Sequence, residues 1–145
     1  MSLSYHSAGL KANGECWTWG YAGYGQLGDN SITNKSSPVS VVGNHAFIAI
    51  SMGNIHSAGL KANGECWTWG DAGSGQLGDN SVIDKSSPVS VVGDHAFIAI
   101  SMGASHSAGL KANGECWTWG YNGQGQLGDN SVIDKSSPVL VVGPA

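Results

Sequence analysis

The feature that most constrains this chain is an internal repeat with a period of 50 residues. The segment His6-Ser7-Ala8-Gly9-Leu10 returns unchanged at His56 and again at His106. A period of this size indicates one small structural unit that is stacked several times and buries surface against its neighbours. We therefore predict a single segment, 1–145, whose repeats lie at about 6–55, 56–105 and 106–145, with the last one truncated.

The three repeats are nearly identical. The first two differ at eight of their fifty aligned positions, and residues 56–95 differ from 106–145 at six of forty. Similarity this high indicates recent duplication or deliberate design, and the sequence does not separate the two.

Each repeat has the pattern of four short β-strands, which we call A to D. Apolar and aromatic runs separated by glycine-containing turns favour strands. We predict strand A at 47–51, strand B at 56–61, strand C at 65–69 and strand D, led by Pro88, at 88–92. Asn63-Gly64 predicts a type I′ hairpin turn between B and C. No strand-A sequence precedes His6, so the first repeat is predicted to lack its leading strand.

Four antiparallel strands in a repeat of 40–50 residues are typical of a β-propeller blade. The segment Gly64-Glu65-Cys66-Trp67-Thr68-Trp69-Gly70, followed by Gly75-Gln76-Leu77-Gly78, a Pro-Val strand and His106-Ser107-Ala108-Gly109-Leu110, resembles the RCC1 (regulator of chromosome condensation) repeat. The resemblance runs from about His6 to Gly143. It implies an all-β propeller, which has seven blades in a typical family member.

The family's functions are diverse, and none of them transfers here residue by residue. Members of this family act in nucleotide exchange on a small GTPase, in chromatin association and as accessory domains of ubiquitin ligases. The matched residues belong to the blade framework. The exchange role therefore rests on family analogy alone.

Three blades are too few to close a propeller ring, which typically needs about four to eight. An open row of blades leaves two apolar faces and unpaired strand edges in water. We expect the chain to close a ring by homo-oligomerisation, because head-to-tail contacts repeat one heterologous interface. Two chains supply six blades and three supply nine, and we favour the dimer because it is nearer to seven.

The charge pattern argues against nucleic acid and membranes as partners. The chain carries six basic residues, all of them Lys, against ten acidic ones, for a net charge of −4. Arg is the usual residue for bidentate phosphate and base contacts. Nothing in the sequence approaches the roughly 18 apolar residues of a membrane helix, and no signal peptide is visible. We expect a cytoplasmic protein.

The motifs that suggest chemistry are all better explained by the repeat. G-x-G-x-x-G occurs once in each repeat but precedes a strand, so we interpret it as a loop and not as a dinucleotide site. We interpret His6, His56 and His106 as hydrogen-bonded framework residues, and expect His45 and His95 to be exposed.

The remaining candidates are one cysteine and one tryptophan pair in each strand C: Cys16, Cys66, Cys116, Trp17/Trp19, Trp67/Trp69 and Trp117/Trp119. We interpret the cysteines as free and buried, and the tryptophans as packing between blades. We predict no catalytic residue, metal or cofactor.

The repeats differ mainly in the A–B turn and the C–D loop, which emerge on the same side of an up-and-down blade. The B–C turn on the other side never changes. This pattern fits a binding face, and it also fits neutral drift in tolerant loops. The candidate residues are Tyr21, Tyr24, Asn54, Ile55, Asp71, Ser74, Tyr121, Asn122 and Gln124.

Our leading hypothesis is a structural, self-assembling propeller module without catalytic activity. The alternative is a module that binds a protein or a ligand through the variable loop face.

Overall fold

The structure is a computed structural model, which describes residues 4–143. Within that range the chain forms eleven β-strands and no helix. The strands are β1 (His6–Leu10), β2 (Cys16–Gly20), β3 (Lys35–Ser40), β4 (Phe47–Met52), β5 (His56–Lys61), β6 (Cys66–Gly70), β7 (Lys85–Ser90), β8 (Phe97–Met102), β9 (His106–Lys111), β10 (Cys116–Gly120) and β11 (Lys135–Leu140).

The strands form three antiparallel sheets that follow chain order. The second and third sheets have four strands each, β4-β5-β6-β7 and β8-β9-β10-β11, and the first has three, β1-β2-β3. We call them the first, second and third blades. The predicted all-β blade architecture is confirmed. The predicted absence of a strand A before His6 falls partly on residues 1–3, which lie outside the described residues.

The turn between strands B and C is not the predicted type I′ turn. Gly64 has a φ of 90°, whereas Asn63 is not among the residues with positive φ. The Gly64 amide donates to the Lys61 carbonyl, and the Lys61 amide donates to the Glu65 carbonyl. This pattern is that of a three-residue loop whose last residue is left-handed. Glycine alone therefore supplies the unusual backbone angle.

The outer strand begins three residues earlier than predicted, at Lys85, and Pro88 lies inside it. The pairing of β6 with β7 shifts between Thr68 and Gly70, so that Val89 pairs with Thr68 and Lys85 with Gly70. Proline is tolerated in a sheet at an edge strand or at such an irregularity. Because β7 pairs only with β6, the absent N–H of Pro88 costs no ladder bond on its outer side.

Each blade has two different faces because side chains alternate along its strands. In the second blade, Ala58, Leu60 and Cys66 lie on one side. Trp69 lies on the other and stacks on Phe47, with ring centroids 5.8 Å apart. We call the first side the glycine face, after the glycine-rich C–D loop that continues it, and the second side the tryptophan face.

The core consists of a glycine face packed against the tryptophan face of the next blade. One cluster joins the second and third blades: Ala58, Leu60, Cys66, Phe97, Met102 and Trp119. A second cluster, of Cys16, Phe47 and Trp69, joins the first and second blades. These contacts confirm the packing role predicted for Trp69 and Trp119. All three cysteines are free, but only Cys16 and Cys66 are buried, since the glycine face around Cys116 has no neighbouring blade.

The prediction that His45 and His95 are exposed was wrong. Both rings are half-buried. His45 stacks on Phe47 at 5.4 Å and tilts against Trp67 at 4.5 Å, and His95 is placed in the same way. The short link between blades turns directly into strand A, which carries the imidazole onto the aromatic cluster.

Two leucines at the same repeat position test this architecture. Leu60 is 1% exposed and Leu110 is 41% exposed, although their local sequences are identical. Leu60→Ala should lower the free energy of unfolding by about 2–5 kcal/mol, whereas Leu110→Ala should cost well under half of that. Urea unfolding of dilute protein, followed by tryptophan fluorescence, measures both. Equal losses, at a concentration where light scattering shows a single chain, would contradict the packing of one blade on the next.

Candidate interaction surfaces

Neighbouring blades meet where the C–D loop of one touches a tryptophan of the next. An added Cβ at Gly28 would lie 2.8 Å from Trp69 Nε1, and one at Gly78 would lie 2.7 Å from Trp119 Nε1. Both glycines have positive φ, 67° and 68°. The G-x-G-x-x-G motif is thus a loop shaped by close approach to the next blade, as interpreted from the sequence.

A buried hydrogen-bond chain joins the blades at the same interface. His6 Nε2 lies 2.7 Å from Ser57 Oγ of the second blade, and that hydroxyl donates back to the Gln26 carbonyl of the first blade at 2.8 Å. His56, Ser107 and Gln76 repeat the arrangement one blade later. The interpretation of His6 and His56 as hydrogen-bonded framework residues is confirmed.

This series of hydrogen bonds fixes which ring nitrogen carries the proton in His6 and in His56. Because the serine hydroxyl donates to a carbonyl, its oxygen accepts from the histidine, so Nε2 carries the proton. Nδ1 of His6 and of His56 is buried and has no hydrogen-bond partner among residues 4–143. Burial lowers the pKa of His6 to about 4. Burial, with smaller contributions from His6 and His106, lowers that of His56 to about 3.

The third blade presents a bare glycine face. An added Cβ at Gly125 would meet nothing within 4 Å, and one at Gly128 would meet only Val141 of its own blade. A cavity of about 320 Å³ opens beside Leu110 and Cys116. His106, the counterpart of the buried His56, is only half-buried. This surface is therefore one half of the interface that the chain forms twice internally.

The first blade presents the other half, a bare tryptophan face. Trp19 is half-buried, whereas Trp69 and Trp119 are completely buried. Ser7 is exposed, although its counterparts Ser57 and Ser107 are buried within the hydrogen-bond chain. The two ends of the row are thus complementary at these positions, although within residues 4–143 the first blade lacks the strand A that supplies Phe97 and Met102 to the internal interface.

The variable loops form a separate, tyrosine-lined pocket between the first and second blades. It has a volume of about 450 Å³ and is lined by Tyr5, Tyr21, Tyr24, Asn54 and Ile55. The rings of Tyr21 and Tyr24 meet edge to face at 6.2 Å, and those of Tyr5 and Tyr21 do so at 6.4 Å. The carboxamide oxygen of Asn54 is buried without a hydrogen-bond partner in the described part of the chain.

The structure brings four of the candidate face residues together in that pocket, and the other five lie elsewhere. Tyr121 and Gln124 are exposed on the third blade, and Asp71 and Ser74 are partly buried on the second. Asp71 accepts a hydrogen bond from Gln76 Nε2 at 2.8 Å, and burial raises its pKa.

Asn122 has to be removed from the candidate face. It is completely buried, and its Nδ2 donates to Asp129 and Ser131 while its Oδ1 accepts from the Leu127 amide. Asn122 therefore closes its own loop, where the other two repeats carry alanine, and it is inaccessible to a partner.

Sequence reasoning missed Tyr5, because it counted variable positions only inside the repeats. Tyr5 occupies the position of Ile55 and Ser105, one residue before strand B, and extending the alignment backward would have found it. It also missed Ser57 and Ser107, since no sequence pattern shows which neighbouring blade a hydroxyl meets.

Two features are absent from residues 4–143. No three His, Cys, Asp or Glu side chains in this range come within reach of a common metal ion. No helix formed by these residues is long and apolar enough to cross a membrane.

Solved structures with this blade arrangement are β-propellers. Human WBSCR16 superposes with a TM-score of 0.85 at 23% identity, over 95% of this chain and 36% of its own. Yeast RCC1 (Prp20), solved with Kap60, gives 0.83 at 20% identity, over 98% and 36%. Prp20p from Saccharomyces cerevisiae, described with its binding to Gsp1p and histones, gives 0.81 at 21%, over 98% and 37%. The chain therefore spans little more than a third of each.

The fold and its interfaces thus define a row of β-propeller blades. The profile of the regulator of chromosome condensation (RCC1) repeat matches residues 13–60, 63–110 and 113–145, and a second profile of the same repeat matches 47–76 and 97–126. The chain belongs to the RCC1 repeat family. Comparison with curated protein sequences gives no match.

The buried histidines predict a specific loss of stability in mild acid. An unfolded histidine has a pKa of about 6.5, above the folded values of about 4 and about 3. Between these values the unfolded state binds more protons, so stability falls as the pH drops below about 6.5. The slope is about 1.4 kcal/mol per pH unit for each such histidine.

Urea unfolding between pH 7.5 and 4.5 checks this expectation. The double variant His6→Gln/His56→Gln keeps an amide donor for each serine but has no proton to gain at these two positions, so its stability should fall less steeply in acid. A residual slope remains, because burial also lowers the pKa values of His45, His95 and His106. A variant with the slope of the parent protein would show that these two histidines do not cause the effect.

Proposed function

We propose that this chain is a non-catalytic assembly unit that joins a second copy of itself head to tail. One observation carries the proposal: the interface between a glycine face and a tryptophan face forms twice within the chain, and its two halves are bare at the ends. Because the repeats are nearly identical, the third blade offers to a second copy the same surface that the second blade offers to the third.

The contacts available to two copies follow from the internal ones. Gly128 would approach Trp19 of the second copy as Gly28 approaches Trp69. His106 would meet Ser7 of that copy as His56 meets Ser107. Such contacts are heterologous. They give a closed ring when the rotations that relate successive copies add up to a full turn. We favour two copies and six blades over three copies and nine, because six is closer to the seven of a typical family member.

A matched pair of leucines tests the assembly. Leu110 and Leu140 are both 41% exposed in a single copy. Leu60, the counterpart of Leu110 in the second blade, is buried next to a neighbouring blade, whereas Ser90, the counterpart of Leu140, is exposed. Leu110→Lys would therefore place an unpaired charge in the junction, and Leu140→Lys would leave its charge in water.

Light scattering after gel filtration, together with native mass spectrometry, reads the outcome. We expect the parent protein and Leu140→Lys to show twice the 14.8 kDa of one chain, and Leu110→Lys to show a single chain. A monomeric parent protein at tens of micromolar, or an unchanged mass for Leu110→Lys, would rule out this junction.

The tyrosine-lined pocket favours a second function, which is protein binding. Tyrosines supply large contact area at low cost in conformational entropy, and three of them line this pocket. Histones are a rational first probe, because Prp20p is described with binding to histones and this chain is acidic, with a net charge of −4.

Fluorescence anisotropy with labelled core histones compares Tyr21→Ser/Tyr24→Ser with Tyr121→Ser. Tyr121 is exposed but lies outside the pocket, which makes it the control. We expect the double variant to weaken binding at least about tenfold and the control to leave it unchanged. Equal effects of the two variants, or no binding by the parent protein, would exclude histone recognition by this pocket.

A further inference from the structure

The inner edge of the first blade pairs with no strand formed by residues 4–143. In the second blade, β4 covers the edge of β5 over a ladder from Phe47–Lys61 to Met52–Ser57, and β8 covers β9 in the same way. Among residues 4–143, β1 pairs only with β2. Its backbone N–H and C=O groups on the other side thus form an edge that can accept a strand.

Beside this edge lies an empty socket for one aromatic ring. In the second blade, the Phe47 ring lies so close over Gly59 that a Cβ there would be 2.5 Å from it, and the ring also stacks on Trp69. Phe97 packs on Gly109 and Trp119 in the third blade with the same distances.

The first blade carries the walls of this socket without the ring. Gly9, Trp17 and Trp19 line an open cavity of about 350 Å³ together with Leu10, Lys11 and Pro38. A Cβ on Gly9 would meet only the Trp19 ring, at 3.9 Å. Gly59 and Gly109 leave space for a phenylalanine ring in the other two blades. At Gly9, their counterpart in the first blade, no phenylalanine fills that space.

We propose that the free edge of β1 is a binding site for an extended strand donated by a partner protein, with a phenylalanine that enters the Gly9–Trp19 socket. The chain defines the pattern of this strand twice. Phe47 is 3% exposed, Ile48 is 60% exposed, and Ala49 and Ile50 are half-buried against β5. The partner strand thus needs an aromatic residue first, tolerates any residue next, and continues with small and apolar side chains.

The site is present in a single copy and so does not depend on assembly. In the head-to-tail arrangement proposed above, the same socket would lie at the junction, where the aromatic ring of the missing strand is also absent. A bound strand would then complete the first blade and supply the Phe–Trp stack that the two internal junctions already have.

The test uses the full chain and a labelled peptide with the sequence of residues 44–53, measured by fluorescence anisotropy. We expect saturable binding, and at least about tenfold weaker binding when the peptide's phenylalanine is replaced by alanine, since burial of an aromatic side chain carries the contact. No saturable binding, or equal binding of the two peptides, would overturn the proposal.

Gly9→Ala provides the sharper variant. Gly9 is not among the residues with positive φ, and its new methyl group makes only an ordinary contact, so the chain should keep its circular dichroism spectrum and urea midpoint. The incoming ring would collide with that methyl group. We expect at least about tenfold weaker binding of the parent peptide and unchanged binding of the alanine peptide.

Ser40→Ala, on the opposite edge of the same sheet, is the control and should bind like the parent protein. Parent-like affinity of Gly9→Ala for the parent peptide would refute the socket. Light scattering on the same samples distinguishes the two proposals. A monomeric chain that binds the peptide would exclude the assembly and support the strand site.

Discussion

The architecture depends on close contact between a glycine-lined loop and a tryptophan of the next blade. Gly28 and Gly78 combine a positive φ with a neighbour so near that no side chain fits. The apolar cluster and the His–Ser–carbonyl hydrogen bonds lie around this contact and join the same two blades. Since one blade has two apolar faces and little interior of its own, it cannot bury them alone. The stable unit is a glycine face packed on the tryptophan face of the next blade. Residues 4–143 form two such packed units and leave one uncovered face of each kind at the ends of the row.

Burial in this protein is therefore a property of position in the row more than of sequence. Leu60 and Leu110 share their local sequence but are 1% and 41% exposed. Cys66 is buried, and burial raises the pKa of its thiol to about 12, whereas Cys116 in the third blade is half-exposed. The same sequence thus produces core residues inside the row and surface residues at its end.

Much of the fold could be predicted because strand patterns and turns are local. The period and strands A to C followed from local patterns, and the packing role of the tryptophans followed from the resemblance to the RCC1 repeat. Strand D was placed too late because its irregular pairing, which accommodates Pro88, is set by the neighbouring strand. His45 and Asn122 were misjudged since their environments, an aromatic cluster and a folded loop, form only in three dimensions. The lack of a strand-A sequence before His6 was visible in the sequence, whereas the Gly9–Trp19 socket was not, because it is defined by the ring that fills the same place in the other blades.

The two sides of the row differ in how freely their residues can change. On the invariant side, Gly64 of the B–C turn lies against Ala96 of the following link, and its carbonyl accepts from the Phe97 amide, so the turn is part of the interface. On the variable side, the tips of the C–D loops face water. Exposure thus accounts for most positions at which the repeats diverge, the buried position of Asn122 being an exception, and divergence by itself is weak evidence for recognition. Convergence is the stronger evidence for a binding site on this side, because Tyr5, Tyr21 and Tyr24 come from two separate segments and line one pocket.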